Sequence, residues 1–263
     1  MTAIGPFSDR DLVGLPEPVR RYLHRSIAPG SPVVEAAELT MRGRIRIGRW
    51  LPFRAHEILD PHRGFVWKAR VAGVIRGSDR YVDGAGSMRW RLGGLVPIVR
   101  ADGPDVSRSG AGRAGAEALW LPTALLPRFG VTWSADSDER ITASFTVGGE
   151  PLQVSFALDP TGGVRSFVFD RWGDPDRTGT WGLHPCGGEV TGYGSFGGLT
   201  IPIVGRLGWH YGTDRWPEGE FFRFEIQRVA GAGRVPSPFR STGPPRCNAT
   251  EQRAPFPARR CGS

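Results

Sequence analysis

Leu39-Thr-Met-Arg-Gly-Arg-Ile-Arg-Ile47 alternates apolar and polar side chains at a period of two. Leu39, Met41, Ile45 and Ile47 fall on one side of an extended chain, and Thr40, Arg42, Arg44 and Arg46 on the other. That is the pattern of an antiparallel strand with one face on a core and one in water. The same period recurs after it, over residues 53–59, 65–74, 80–82, 87–92 and 96–101, with Asp83-Gly84 as a hairpin turn. It resumes over 131–134, 140–147, 152–158 and 164–169, where Gly148-Gly149 and Gly162-Gly163 mark turns. Residues 189–195, 200–204, 208–211 and 221–229 complete the series, the last alternating Phe222, Phe224 and Ile226 against Phe221, Arg223 and Glu225.

Helical spacing is confined to three short pieces. Ser8 caps residues 9–13, and Gly14 stops them. Pro16 and Pro18 open a second helix over 17–26, which gathers Val19, Tyr22 and Leu23 on one side and Arg20, Arg21 and Arg25 on another. Ala116, Leu119 and Trp120 give helical spacing around Arg113 and Glu117, which places a helix near 113–127 with a break at Leu121-Pro122. Strands that rarely alternate with helices exclude a doubly wound parallel sheet. The expected class is mainly β (α+β): one large curved antiparallel sheet or half-barrel packed on a few helices. Residues 1–32 are expected to pack as helices on the sheet, 33–230 to form the curved β domain, and 231–263 to be a disordered tail.

The composition bounds the function. The chain has 263 residues, 39% of them hydrophobic, and a net charge of +8. Its longest apolar run, Leu95 to Val99, contains Pro97 and is far short of a membrane span. The first residues lack a basic segment followed by an apolar one, so a cytoplasmic location is expected. Much of the positive charge sits in the tail, where Arg234, Arg240, Arg246, Arg253, Arg259 and Arg260 face the single acid Glu251. Lys68 is the only lysine in the chain, a bias of composition that argues against a specific nucleic-acid partner. Three cysteines, Cys186, Cys247 and Cys261, give no disulfide framework and are expected to be reduced thiols.

Motifs of chemistry are incomplete. Gly110-Ala-Gly-Arg-Ala-Gly115 matches a dinucleotide-binding string, but Pro104 and no strand pattern precede it. His56-Glu57 lacks a second His at position 60, where Asp60 stands, and His184-Pro-Cys186 offers only two ligands. Gly194-Ser195-Phe196-Gly197 lacks the spacing of a nucleophile elbow. No cofactor, metal or catalytic residue is expected.

Nine Trp and fourteen Phe in a β protein put a large aromatic surface inward. A wide curved sheet that a few short helices do not fill would leave a cavity suited to a hydrophobic small molecule or lipid. Trp67, Tyr81, Met88, Trp90, Arg113, Glu117 and Trp120 are the residues expected at its mouth or lining. Arg113 and Glu117, four apart on one helical face, are placed to meet. Two other functions fit the same residues: an enzyme on an apolar substrate with Glu117 as acid or base and Arg113 as charge partner, or a fully packed structural or interaction protein.

Short segments along most of the chain also carry a resemblance. They are Leu15-Pro-Glu-Pro-Val-Arg-Arg-Tyr-Leu23, Trp50-Leu-Pro-Phe53 with Ala55, Gly64-Phe-Val-Trp67 with Ala69, and Tyr81-Val-Asp-Gly-Ala-Gly86 with Met88. Arg113, Glu117, Trp120 and Pro122 follow at fixed spacing, then Gly198-Leu-Thr-Ile-Pro202, Trp209 and Phe222-Arg223. In these the chain resembles a family of uncharacterised bacterial proteins defined as a domain of unknown function. The resemblance implies an architecture like the open half-barrels of lipoprotein carriers and related lipid binders, and it implies no activity.

Overall fold

A computed structural model describes residues 5–231. The expected tail, with Cys247 and Cys261, lies outside the described residues. A 3-10 turn, Asp9–Leu12, leads into α1 (Glu17–Ser26), which begins and ends where the prolines and the apolar stripe place it. The Ser8 N–H donates to Asp11 Oδ2 at 2.9 Å, and Gly14 takes the left-handed conformation that ends the turn.

Six strands then run as a meander: β1 (Ala37–Ile47), β2 (Arg49–Asp60), β3 (Gly64–Val71), β4 (Ile75–Val82), β5 (Ala85–Leu92) and β6 (Val96–Asp102). After α2 (Pro104–Ala116) come β7 (Thr132–Ser137), β8 (Arg140–Val147), β9 (Glu150–Leu158), β10 (Val164–Gly173), β11 (Gly182–Phe196) and β12 (Leu199–Trp209). A short α3 (Trp216–Gly219) precedes β13 (Glu220–Gly231). The strands form one antiparallel sheet of 13 in the order β6-β5-β4-β3-β2-β1-β13-β12-β11-β10-β9-β8-β7. Two meanders are therefore joined at the centre by the pairing of β1 with β13.

The path of the chain fits a curled sheet. The chain leaves the sheet at one edge, β6, and re-enters at the other, β7. Flat, the two edges would lie roughly 55–60 Å apart at about 4.8 Å per strand. The 13 residues of α2 span only about 20 Å. The sheet curls instead, and α2 lies across its concave face, touching β3, β4 and β5 from one wing and β8, β9 and β10 from the other.

Three elements differ from the sequence pattern. The strand expected over 65–74 stops at Val71, because Ala72 and Gly73 take left-handed conformations in a tight turn. The periods at 200–204 and 208–211 merge into the single strand β12. The helix expected near 113–127 is displaced toward the N-terminus. The α-helix ends at Ala116, and Glu117–Trp120, Pro122–Leu125 and Pro127–Phe129 are successive 3-10 turns, each later one opened by a proline.

The string Gly110 to Gly115 thus lies inside α2, where its glycines serve close packing. A Cβ on Gly110 would stand 2.8 Å from Tyr81 Cβ, and one on Gly115 would stand 2.2 Å from Leu152 Cδ2. On the sheet side, a Cβ on Gly86 would meet Ser107 Cα at 2.7 Å. The Gly86 N–H donates to Ser107 Oγ at 2.9 Å, which pins the helix to β5.

Candidate functional site

One end of the curl is solid and the other is hollow. At the solid end, α1 presses Tyr22 onto Phe156 and Trp133, with ring centroids 5.6 and 5.7 Å apart. Burial there pushes the Tyr22 hydroxyl well above its usual range. At the other end lie the β1–β2, β3–β4 and β5–β6 turns and the long β10–β11 connection. Here the concave face lines a hollow of about 790 Å³ that opens to solvent. That is within the size of small-molecule pockets, roughly 300–1,000 Å³. A fully packed interior is therefore excluded. The wall is built by period-two residues of the strands: Met41 and Ile45 from β1, Trp67 from β3, Ile75 from β4, Met88 and Trp90 from β5. Phe167 and Phe169 of β10, Cys186 of β11 and Phe222 of β13 close the far side. Burial raises the Cys186 thiol pKa, so this thiol holds its proton as an apolar wall group.

Where α2 passes into its 3-10 extension, Arg113 and Glu117 face the cavity and meet with Nε to Oε1 at 2.7 Å. They do not stand alone. Arg113 Nη1 donates to Asp79 Oδ2 at 3.2 Å, and Nη2 donates to Glu57 Oε1 at 3.3 Å. The guanidinium carbon also lies 4.1 Å from the centre of the Phe65 ring and 5.3 Å from that of Trp67. Three carboxylates thus converge on one cation in an aromatic cage. Glu57 is fully buried, and the other members are largely so. Trp90 Nε1 donates to the second Asp79 oxygen at 2.9 Å and ties the cluster to the cavity wall.

Acidic groups outnumber the basic one. Burial works against the Arg113 charge, but the carboxylates of Glu117, Glu57 and Asp79 outweigh it and hold the guanidinium protonated. Burial, reinforced by the neighbouring Glu117 charge and opposed by Arg113, pushes Glu57 well above the usual carboxylate range. Three carboxyl groups thus share a single guanidinium. Two of its carboxyl oxygens, Glu57 Oε2 and Glu117 Oε2, lack partners among the described residues, as does Trp120 Nε1 in the cavity's border. A Glu57 proton can be donated to Glu117, but the Trp120 N–H still has no acceptor.

Of the residues singled out in the sequence, Trp67, Met88, Trp90, Arg113, Glu117 and Trp120 all border this cavity. Tyr81 does not. Its ring is buried beneath α2 against Gly110, and its hydroxyl occupies the space a Cβ on Gly148 would need. The close passage of the glycine-bearing helix covers it. Sequence reasoning also missed Glu57 and Asp79, though a signal was there. Glu57 follows Phe53 and Ala55 on the inward face of β2, and Asp79 shares the inward face of β4 with Tyr81. A carboxylate at an inward period-two position is a buried charge in need of a partner.

A family model described as a family of unknown function, DUF6544, matches residues 5–223. The chain belongs to this family. Among solved structures, it is similar to a LolA-superfamily protein from Nitrosomonas europaea, at 8% identity and a TM-score of 0.43. That likeness covers 82% of this chain and 92% of the other. It is also similar to a domain described as belonging to an outer membrane lipoprotein-sorting protein of Vibrio parahaemolyticus, at 10% identity and a TM-score of 0.35. There the coverage is 74% of this chain and 84% of the other. No curated protein matches. No helix among the described residues is long and apolar enough to cross a membrane.

Proposed function

We propose that this DUF6544 chain binds a hydrophobic small molecule or lipid in the hollow of its sheet. The apolar body lies among Met41, Trp67, Met88, Phe167 and Phe169, and the polar head lies against the Arg113 cluster. The observation that carries this reading is the cavity of about 790 Å³ with an aromatic wall and one buried polar cluster set into it. An apolar pocket with a few convergent polar groups is the usual design of a small-molecule site.

The cluster also narrows the head. Arg113 already donates to three carboxyl groups, so it offers little to an incoming anion, and those acids outnumber the one cation. A hydroxyl donates to a carboxylate oxygen without bringing a negative charge of its own. An ammonium satisfies the charge. A hydroxyl or amine head is therefore favoured over a carboxylate.

Displacement of the neutral fluorescent probe N-phenylnaphthylamine by dodecanol, dodecylamine and dodecanoate tests this. Dodecanol or dodecylamine is expected to displace the probe at least about tenfold more tightly than dodecanoate, a difference of about 1.4 kcal/mol. A chain that takes up no probe overturns the binding reading, and dodecanoate as the best competitor overturns the assignment of the head.

A further inference from the structure

The convex face of β2–β5 carries a row of like charges that no acid among the described residues answers. Strand register sets Arg54 opposite Arg70, Arg70 opposite Arg76, and Arg76 opposite Arg91. The neighbouring row sets Lys68 opposite Ser78 and Ser78 opposite Arg89. Like charges directly opposed across strands cost stability. Elsewhere on the outer surface, arginines are matched by acids: Arg42 with Glu225, Arg165 with Glu139, Arg206 with Glu189. Among the described residues, Arg54, Lys68, Arg70, Arg76 and Arg91 form no ion pair, and with Arg89 they line a shallow depression of about 630 Å³ without an acidic residue in its wall.

The same strands end in bare apolar tips. Val74 sits in the β3–β4 turn, and Leu92, Leu95 and Val96 crown the β5–β6 hairpin, with Leu95 82% exposed. The tips lie one to five residues along the chain from Arg70 or Arg91, so charge and apolar tip are at most roughly 3–17 Å apart. That reach is comparable to the roughly 5–10 Å by which an interfacial apolar face sinks into the headgroup/acyl boundary. We infer that this face docks on a membrane surface rich in anionic lipid headgroups, with the arginine row on the phosphates and the tips in the acyl boundary. A nucleic acid would answer the charge and leave Val74, Leu95 and Val96 in water; a bilayer answers both. Exposed Ile47, Ile98 and Val99 belong to the same end of the sheet and border the cavity, so the hollow opens beside the docked surface.

Co-sedimentation of the full chain with vesicles tests the docking, independently of what the cavity holds. The probes are phosphatidylcholine vesicles with and without phosphatidylglycerol. The chain is expected to bind the phosphatidylglycerol vesicles at least about tenfold more tightly, and added salt is expected to weaken that binding. Arg70→Glu with Arg76→Glu is expected to lower the binding about tenfold or more, and Leu95→Ser severalfold, with circular dichroism and N-phenylnaphthylamine binding unchanged. Should the reversed pair not fold, Arg54→Gln with Arg91→Gln carries the same test. Vesicle binding that survives these charge changes overturns the inference and passes the role to the basic segment beyond residue 231. Tighter binding to a DNA oligomer than to vesicles, lost in the same variants, overturns it in favour of a nucleic-acid face.

Discussion

The two ends of the curled sheet are made of the same materials and reach opposite outcomes. At one, α1 delivers Tyr22 onto Phe156 and Trp133, and Ile27 bridges to Leu199, so the aromatic surfaces close on each other. At the other, Trp67, Trp90, Phe167 and Phe169 look inward across a space that α2 and α3 border without filling, and a cavity of about 790 Å³ remains. Inward-facing aromatics alone do not determine whether a β surface becomes core or binding wall. The position of the covering helix does. Here α2 crosses between the two ends, and its glycines let it sit so close that it seals Tyr81 on one side and presents Arg113 and Glu117 on the other.

That contrast has graded consequences for stability. The largest belongs to the solid end: Phe156→Ala should cost about 3–5 kcal/mol in denaturant unfolding, because its packed surroundings have little room to collapse. Gly110→Ala comes next. In an open helix this change would add up to about 1 kcal/mol of stability. Beneath it, Tyr81 Cβ lies 2.8 Å from the new methyl, so a loss of about 1–3 kcal/mol is expected instead. A stabilised Gly110→Ala would mean that α2 is not held this closely.

A smaller effect comes from Asp60, beside the β2–β3 turn, where its Oδ1 accepts the N–H groups of His62 and Arg63. Burial pushes its pKa up to about 6, against those hydrogen bonds. A carboxyl whose folded pKa is raised favours the native state fully at acid pH, and that advantage is lost as pH rises from the unfolded value, near 4, through about 6. Asp60→Asn keeps the accepting oxygen and removes the titration. It should gain about 1–2 kcal/mol over wild type at neutral pH and little below pH 4, read from unfolding midpoints across that range. A constant difference at all pH values would contradict this. The smallest effect belongs to the hollow end: Met88→Ala, on the half-buried wall, should cost about 1 kcal/mol or less, because the space beside it is already empty. A loss matching that of Phe156→Ala would show the two ends to be equally packed.

The sequence made some of this legible and hid the rest for identifiable reasons. Residues 17–26 read as a helix because Pro16 and Pro18 suit only its first turn and Val19, Tyr22 and Leu23 share a face. The β8–β9 and β9–β10 turns read from paired glycines, and Gly148, Gly149 and Gly162 do take left-handed conformations. Helix α2 was hidden because Gly110, Gly112 and Gly115 are poor helix formers. What keeps them there is contact with Tyr81, Phe145 and Leu152, tens of residues away. The site was half visible. Arg113 and Glu117 met through local helical spacing, but Glu57 and Asp79 reach them only through the register of β2, β3 and β4 beneath the helix. Tyr81 and Trp90 read alike as inward rings, and only the course of α2 separates a sealed one from a wall.

The central claim is that the hollow end admits an apolar guest. Fluorescence titration with N-phenylnaphthylamine on wild type and on Met88→Trp, which fills the space from its own wall, tests it most directly. Saturable binding to wild type, weakened about tenfold or more in a Met88→Trp variant that unfolds no earlier, is the predicted result. Equal binding by the two proteins would place the probe elsewhere and contradict the claim.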